Sequence, residues 1–216
     1  MAENVARQLA QDLPDLQAYW MPFTGNRYFK QHPRVISRAK GMHCYTHDGK
    51  ELLDAVAGLW CCNAGHCHPK IVEAIKAQAS TLNTHTRYLH EGMLDYVERL
   101  TGTMDPSLST AILTCTGSEA NDIALRMAEG ITGKRGIIAT DATYHGNTAL
   151  VSQLSRNNVP KFGFGLEQFF RFVPAPDSYR NPDPDAAFFV AALEQEIAAL
   201  EADGTGFAAL LICPMF

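Results

Sequence analysis

Three short stretches concentrate the residues able to do chemistry. Thr116-Gly117-Ser118-Glu119-Ala120-Asn121 stands where an apolar run, 111–115, gives way to helical spacing at Ala120, Ile123, Ala124, Met127 and Ala128. A glycine there admits close backbone approach, and the leading amides of a helix have no intrahelical acceptor. With the positive end of the helix dipole, those amides make a seat for a phosphate or another small anion. The same residues also suit a plain capping turn, with Ser118 or Thr116 as N-cap and Glu119 favouring the dipole. Tyr144-His145-Gly146 follows the next strand-like run, 136–140, and so reaches the same carboxyl edge of a sheet. A tyrosine ring there can stack on a flat heterocycle while Gly146 leaves room; alone, the tripeptide reads equally as a surface turn.

The third stretch crowds Cys61, Cys62, His66, Cys67 and His68 into eight positions. Structural zinc sites usually space a pair of ligands two to four residues apart and add a second pair farther on, and within these eight positions there is no CxxC or HxxxH. The reading is therefore packed thiols and a turn histidine, with no metal expected. The six cysteines include an adjacent pair and suit reduced thiols better than a disulfide framework.

The elements that must position these residues alternate along the chain. Residues 2–16 read as a short acidic amphipathic helix, followed by the aromatic run Tyr19-Trp20-Met21-Pro22-Phe23, which Pro22 keeps out of regular helix. Residues 41–54 alternate polar and apolar around Asp48-Gly49 and predict a hairpin. Residues 69–82, with Pro69 in the first turn, and 92–100 predict helices. Strand 111–115, helix 118–129 and strand 136–140 predict a βαβ unit with parallel pairing. Strand 169–173, helix 185–201 and buried strand 207–213 continue the pattern, while 157–165 and the proline-rich 174–184 read as loops. The second half is α/β.

Composition narrows the function classes. With 216 residues, 46% hydrophobic and 19% charged, the chain is neither disordered nor fibrous. The net charge of −5 carries no basic block to track phosphates along a duplex, which sets nucleic acid aside. No apolar run approaches the length of about eighteen residues that crosses a bilayer, and residues 1–17 lack a signal peptide's basic start and apolar core. A cytoplasmic protein is expected.

Taken together, the motifs resemble the class III aminotransferases of the fold type I pyridoxal-phosphate enzymes. Tyr45-Thr46-His47-Asp48-Gly49, Leu53-Asp54 and Gly65-His66-Cys67-His68-Pro69 are similar to that family's early block. Thr116 to Asn121 resembles its phosphate cup, and Tyr144-His145-Gly146 its ring-stacking motif. The resemblance runs from about Tyr19 to Cys213 and implies the N-terminal half of the family fold. That is an arm and small β-hairpin segment, residues 1–60, leading into the first half of a mainly parallel three-layer α/β/α large domain, residues 61–216. It implies that Gly117 and Ser118 hold the phosphate of pyridoxal 5'-phosphate, that Tyr144 packs on the pyridine ring, and that His145 supports the loop. Tyr19, Trp20, Leu59 and Trp60 fall where omega-transaminase relatives place substrate-pocket walls, often across a dimer interface; as large apolar side chains they equally suit a core.

The implied reaction is amino transfer between an amine or amino acid and a keto acid such as pyruvate, in a homodimer or larger homo-oligomer. Two departures qualify it. The strand 207–213 ends in Cys213-Pro214 where the family usually has Glu-Pro. The Schiff-base lysine and the aspartate that pairs with the pyridine nitrogen are expected beyond residue 216, and neither Lys134 nor Lys161 falls on the matching position. No catalytic residue is therefore assigned in this chain, which on its own is expected to be inactive and, with an apolar edge left uncovered, to associate. Thr84-His85-Thr86-Arg87-Tyr88-Leu89-His90 is similar to segments of phospholyase-like members, which eliminate phosphate. That leaves two alternatives, a phospholyase and a non-catalytic cofactor-binding fragment. Arg87 and Arg126 are the candidates for a substrate carboxylate.

Overall fold

The computed structural model describes residues 26–31, 33–85, 87–155, 165–177, 179 and 186–213. The expected helix at 2–16, the aromatic run with Tyr19 and Trp20, and most of the loops 157–165 and 174–184 lie outside the described residues. The chain divides into two compact units, Met1–Asp95 and Tyr96–Phe216.

In the first unit, a short helix α1 (Asn26–Gln31) precedes three antiparallel strands, β1 (Ile36–Lys40), β2 (His43–Thr46) and β3 (Glu51–Leu53), in that order. The predicted hairpin is β2 and β3. Its turn is closed by Thr46 N donating to Lys50 O at 2.9 Å and Gly49 N donating to Thr46 O at 3.0 Å. Strand β1 was not expected, because Ile-Ser-Arg-Ala-Lys shows no run of strand-forming residues; pairing with β2 from Ile36 to Lys40 makes it one. Helices α2 (Ala57–Trp60), α3 (Pro69–Thr81) and α4 (Glu91–Thr101) follow, the last crossing into the second unit. Pro69 begins α3 as its missing N–H allows, and the apolar Ile71 and Ile75 on that helix stay exposed.

The second unit is built on β4. Helix α5 (Gly117–Thr132) leads to β4 (Gly136–Thr140), then β5 (Phe170–Val173), α6 (Ala187–Ala202) and β6 (Phe207–Leu211). The three strands pair in parallel in the order β5-β4-β6. All five residues of β4 are buried, as a central parallel strand covered on both faces requires. Alternate residues divide two cores. Ile137 and Ala139 pack with Leu125 of α5, Val151, Leu154 and Phe170; Ile138 packs with Val173 and with Leu200 of α6. The described layers are helix, sheet, helix, as expected.

One predicted element is corrected. Residues 111–115 form no strand, and Ile112 and Leu113 are exposed. A strand exists only where a neighbour accepts its ladder, and among the described residues none pairs with this run. Helix α5 and β4 of the expected βαβ unit are present; the parallel partners of β4 come from later in the chain. No described helix is long and apolar enough to cross a membrane.

At the start of β4, Gly136 N donates to Gly206 O at 2.8 Å, and Gly206 N donates to Leu200 O at 2.8 Å. A Cβ on Gly136 would collide with Gly206 O and stand 2.8 Å from Leu200 Cδ1, whereas one on Gly130, inside α5, would meet nothing. In urea unfolding, Gly136→Ala is expected to lose about 2 kcal/mol or more by overpacking. Gly130→Ala is expected to gain roughly 0.5–1 kcal/mol by removing a helical glycine.

Candidate functional site

The N-terminus of α5 resolves the choice of cap in favour of Thr116. Its backbone is extended (φ −145°, ψ 156°), and its Oγ1 accepts from Glu119 N at 3.1 Å. Glu119 turns back: its Oε2 accepts from Cys115 N at 3.0 Å and from the Thr116 hydroxyl at 3.3 Å. This is a variant of the capping box, with the carboxylate reaching one residue farther out. Ala120 N donates to Thr116 O. Among the described residues, none accepts from the amides of Gly117 and Ser118, so two oriented donors remain at the positive end of a sixteen-residue helix. A Cβ on Gly117 would meet nothing within 4 Å, so the space beside these amides is open.

The second predicted motif lies against the first. Gly146 adopts φ +141°, which a side chain rarely tolerates, and a Cβ there would stand 2.6 Å from Ser118 Oγ and 2.8 Å from Ser118 Cα. Across this approach, Asn147 N donates to Ser118 Oγ at 3.0 Å, and the Asn121 side-chain amide donates to His145 O at 2.7 Å. The structure thus brings Gly117, Ser118, Tyr144 and His145 into one neighbourhood at the carboxyl end of β4. Asn121, part of the motif but not singled out, joins Ser118 in tying the two segments together.

His145 is 8% exposed. Its backbone N donates to Ser155 Oγ at 3.0 Å. The Thr143 hydroxyl donates to Thr140 O at 2.8 Å, so its oxygen accepts from His145 Nε2 at 2.9 Å. That chain of donors places the ring proton on Nε2 of a neutral imidazole. Burial holds the His145 pKa below the usual 6.5. Tyr144, the residue before it, is half exposed.

The other predicted residues stand elsewhere. Leu59 and Trp60 occupy the last two positions of α2 in the first unit, and Tyr19 and Trp20 lie outside the described residues. Arg126 Nε pairs with Asp122 at 3.0 Å on α5; both line a cleft of about 350 Å³ with Thr114, Glu119 and Thr148. None of the four predicted cofactor residues lines that cleft. The segment 84–90, described except for Thr86, is largely exposed, with Arg87 N donating to His85 Nδ1 at 3.1 Å.

The cysteine and histidine crowd does not converge among the described residues. Of its members only His66 enters a cluster of metal-ligating types, and its companions are Cys44 and Asp54. No disulfide joins the six thiols, and Cys61, Cys67 and Cys115 are exposed, contrary to the expectation of packing. These three lie on turns or at a helix entrance, where the surrounding apolar letters belong to residues that are not covering them.

Residues 24–215 match the family model of the class-III aminotransferases, and the chain belongs to that family. An omega-aminotransferase from Caulobacter vibrioides is 41% identical over 140 residues, covering 61% of this chain and 32% of the relative. Among solved structures, an omega transaminase from Pseudomonas jessenii in complex with PMP is 28% identical at a TM-score of 0.74, covering 90% of this chain and 47% of that one. A phospholyase from Arthrobacter in complex with phosphoethanolamine is 29% identical at 0.74, covering 99% and 48%. The chain therefore spans about a third of that curated relative and about half of these solved structures.

Because the His145 pKa lies below 6.5 in the folded protein, the unfolded chain takes up the proton first as pH falls. Stability is therefore fully present above 6.5 and declines as pH drops toward the depressed folded value. Unfolding free energies measured between about pH 5 and pH 8 should show this slope, and His145→Gln, which keeps an N–H for Thr143, should flatten it.

Proposed function

We propose that this chain is the cofactor-binding part of a pyridoxal-phosphate-dependent aminotransferase. The observation that carries the reading is the seam between α5 and the Tyr144–Gly146 loop, where two unclaimed helix amides open and the loop packed on Ser118 carries a half-exposed Tyr144. Pyridoxal phosphate supplies an electron sink that lets an amino group leave one carbon and later join another. The chain's residues divide the work of holding it. The amides of Gly117 and Ser118 face the phosphate with the helix dipole behind them. Ser118 Oγ already accepts from Asn147 N, so its own hydroxyl proton remains for a phosphate oxygen. Tyr144 covers one face of the pyridine and excludes water from it, and neutral His145 fixes the loop from below through Thr143, Asn121 and Ser155.

By role, residues 1–60 form the arm and small-domain segment and residues 61–216 the first half of the cofactor domain. Tyr19, Trp20, Leu59 and Trp60 line the substrate pocket in this reading. The whole protein transfers an amino group from an amine or amino acid to a keto acid such as pyruvate, and works as a cytoplasmic homodimer or larger homo-oligomer. Exposed Ile71 and Ile75 of α3 and Leu94 and Tyr96 of α4 support association. A second reading, phosphate elimination from an amino-alcohol phosphate, is favoured by the likeness to the Arthrobacter phospholyase over 99% of this chain.

Gly117→Asp separates binding from folding. The added side chain has open space, and an acid in the first turn suits the helix dipole, so stability should hold or rise. The carboxylate would repel a phosphate from the same seat. Pyridoxal phosphate titrated into the protein is expected to bind and to be displaced by inorganic phosphate, with affinity at least about tenfold weaker in the variant. Unchanged binding in Gly117→Asp would remove the phosphate assignment. For the whole protein, amine-dependent consumption of pyruvate supports amino transfer, and phosphate release from phosphoethanolamine without a keto acid supports the second reading.

A further inference from the structure

Strands β2 and β3 and the turn after α2 bring together three donors far apart in sequence. Cys44 lies in β2, Asp54 follows β3, and His66 belongs to the turn. Gly41 N donates to His66 O at 2.9 Å and His66 N to Gly41 O at 2.8 Å, fastening the turn beside the sheet. A Cβ on Gly65 would stand 3.3 Å from Gly41 Cα, so the approach depends on the glycine. His66 Nε2 then lies 2.7 Å from Asp54 Oδ2 and 3.5 Å from Cys44 Sγ, and Sγ lies 4.0 Å from Oδ2. All three residues are partly buried.

Both partners address one ring nitrogen. That nitrogen carries at most one proton, and the Cys44 thiol is aimed at Asp54 Oδ2 as well, so three donor atoms crowd one point with at most two protons between them. The geometry also rules out a nucleophilic Cys–His–Asp relay, which needs the thiol on one ring nitrogen and the carboxylate on the other. A metal ion at the common focus serves all three. Tetrahedral zinc, with N and O ligands at about 2.0–2.2 Å and S at about 2.3 Å, sets its ligands about 3.3–3.6 Å apart. The three observed separations, 2.7, 3.5 and 4.0 Å, bracket that range. Adjustments of about 0.6 Å or less convert the cluster into a ligand set. The carboxylate is already oriented: Asp54 Oδ1 accepts from Val56 N at 3.2 Å, and Oδ2 from Gly58 N at 3.0 Å.

We propose that Cys44 Sγ, Asp54 Oδ2 and His66 Nε2 bind one divalent transition ion of the zinc class, with water in the fourth position. Mixed sulfur, nitrogen and oxygen donors select zinc over magnesium or calcium, which prefer oxygen alone. On binding, the Cys44 thiol proton leaves to solvent, the imidazole proton moves from Nε2 to Nδ1 so that Nε2 is free to ligate, and Asp54 enters as the carboxylate. The ion staples the hairpin to the turn that carries His66, a clamp within the first unit that is independent of cofactor binding in the second.

Cobalt(II) added to the purified full chain provides the test. One equivalent is expected to bind, giving a thiolate-to-cobalt charge-transfer band in the near ultraviolet that zinc abolishes; pyridoxal phosphate has no sulfur and contributes none. Cys44→Ser and His66→Gln should weaken binding at least about tenfold, and Cys44→Ser should lose the band. Cys62→Ser should keep both. Far-ultraviolet circular dichroism reports folding, with Cys44→Ala as the replacement should Cys44→Ser not fold. Absence of one-to-one binding, or a band that survives in the Cys44 variant, overturns the proposal, the latter by placing the ion on Cys61, Cys62 or Cys67.

Discussion

The backbone of Gly146 lies so close to Ser118 that no side chain fits between them, and the geometry of the site follows from that approach. It brings Asn147 N within reach of Ser118 Oγ and His145 O within reach of Asn121. Both sides of the seam hang from the same strand. Helix α5 is pinned to β4 through Leu125, which packs on Ile137 and Ala139, while the loop leaves the end of β4 at Thr140 and is tied back to it through Thr143. Errors in the position of either side are therefore limited by one buried five-residue strand.

An acid stands one residue from the two open amides, and its placement matters for any anion. Glu119 spends its carboxylate on Cys115 N and the Thr116 hydroxyl, on the outer side of the cap, and leaves Gly117 and Ser118 unclaimed. A capping residue that bonded those amides would have satisfied the helix and closed the seat. The His145 ring follows a similar logic: buried and neutral, it rigidifies the loop without bringing in a charge that a cofactor would have to offset.

Much of this was legible in the sequence wherever local pattern and tertiary environment agree. Asp48-Gly49 between alternating runs gave the hairpin, Pro69 opened α3, and the apolar run 136–140 gave the central strand. The stretches 116–121 and 144–146 were legible as ordered blocks, and the seam puts them side by side, since Gly146 admits a close approach and Ser118 is small enough to meet it. What pattern alone could not supply was pairing. Residues 111–115 have strand character but no neighbour among the described residues, whereas Ile36–Lys40 has little character and a neighbour in β2. The Cys44, Asp54 and His66 cluster escaped for the same reason. Ligand spacing rules read donors close in sequence, and these three meet only because Gly41 and Gly65 let a turn close on a sheet.

The strand order β5-β4-β6 also sets a timetable. As the polypeptide leaves a ribosome, β4 emerges before either of its neighbours, and its second ladder cannot form until Phe207–Leu211 has followed. At about 5–20 residues per second, the most deeply buried of the described strands waits several seconds with one edge open. The hairpin and its three-stranded sheet, whose pairings lie close in sequence, have no such delay. Nascent-chain quality control would therefore meet a folded N-terminal sheet followed by an exposed Gly-Ile-Ile-Ala-Thr segment, which makes chaperone engagement during translation a property of the topology itself.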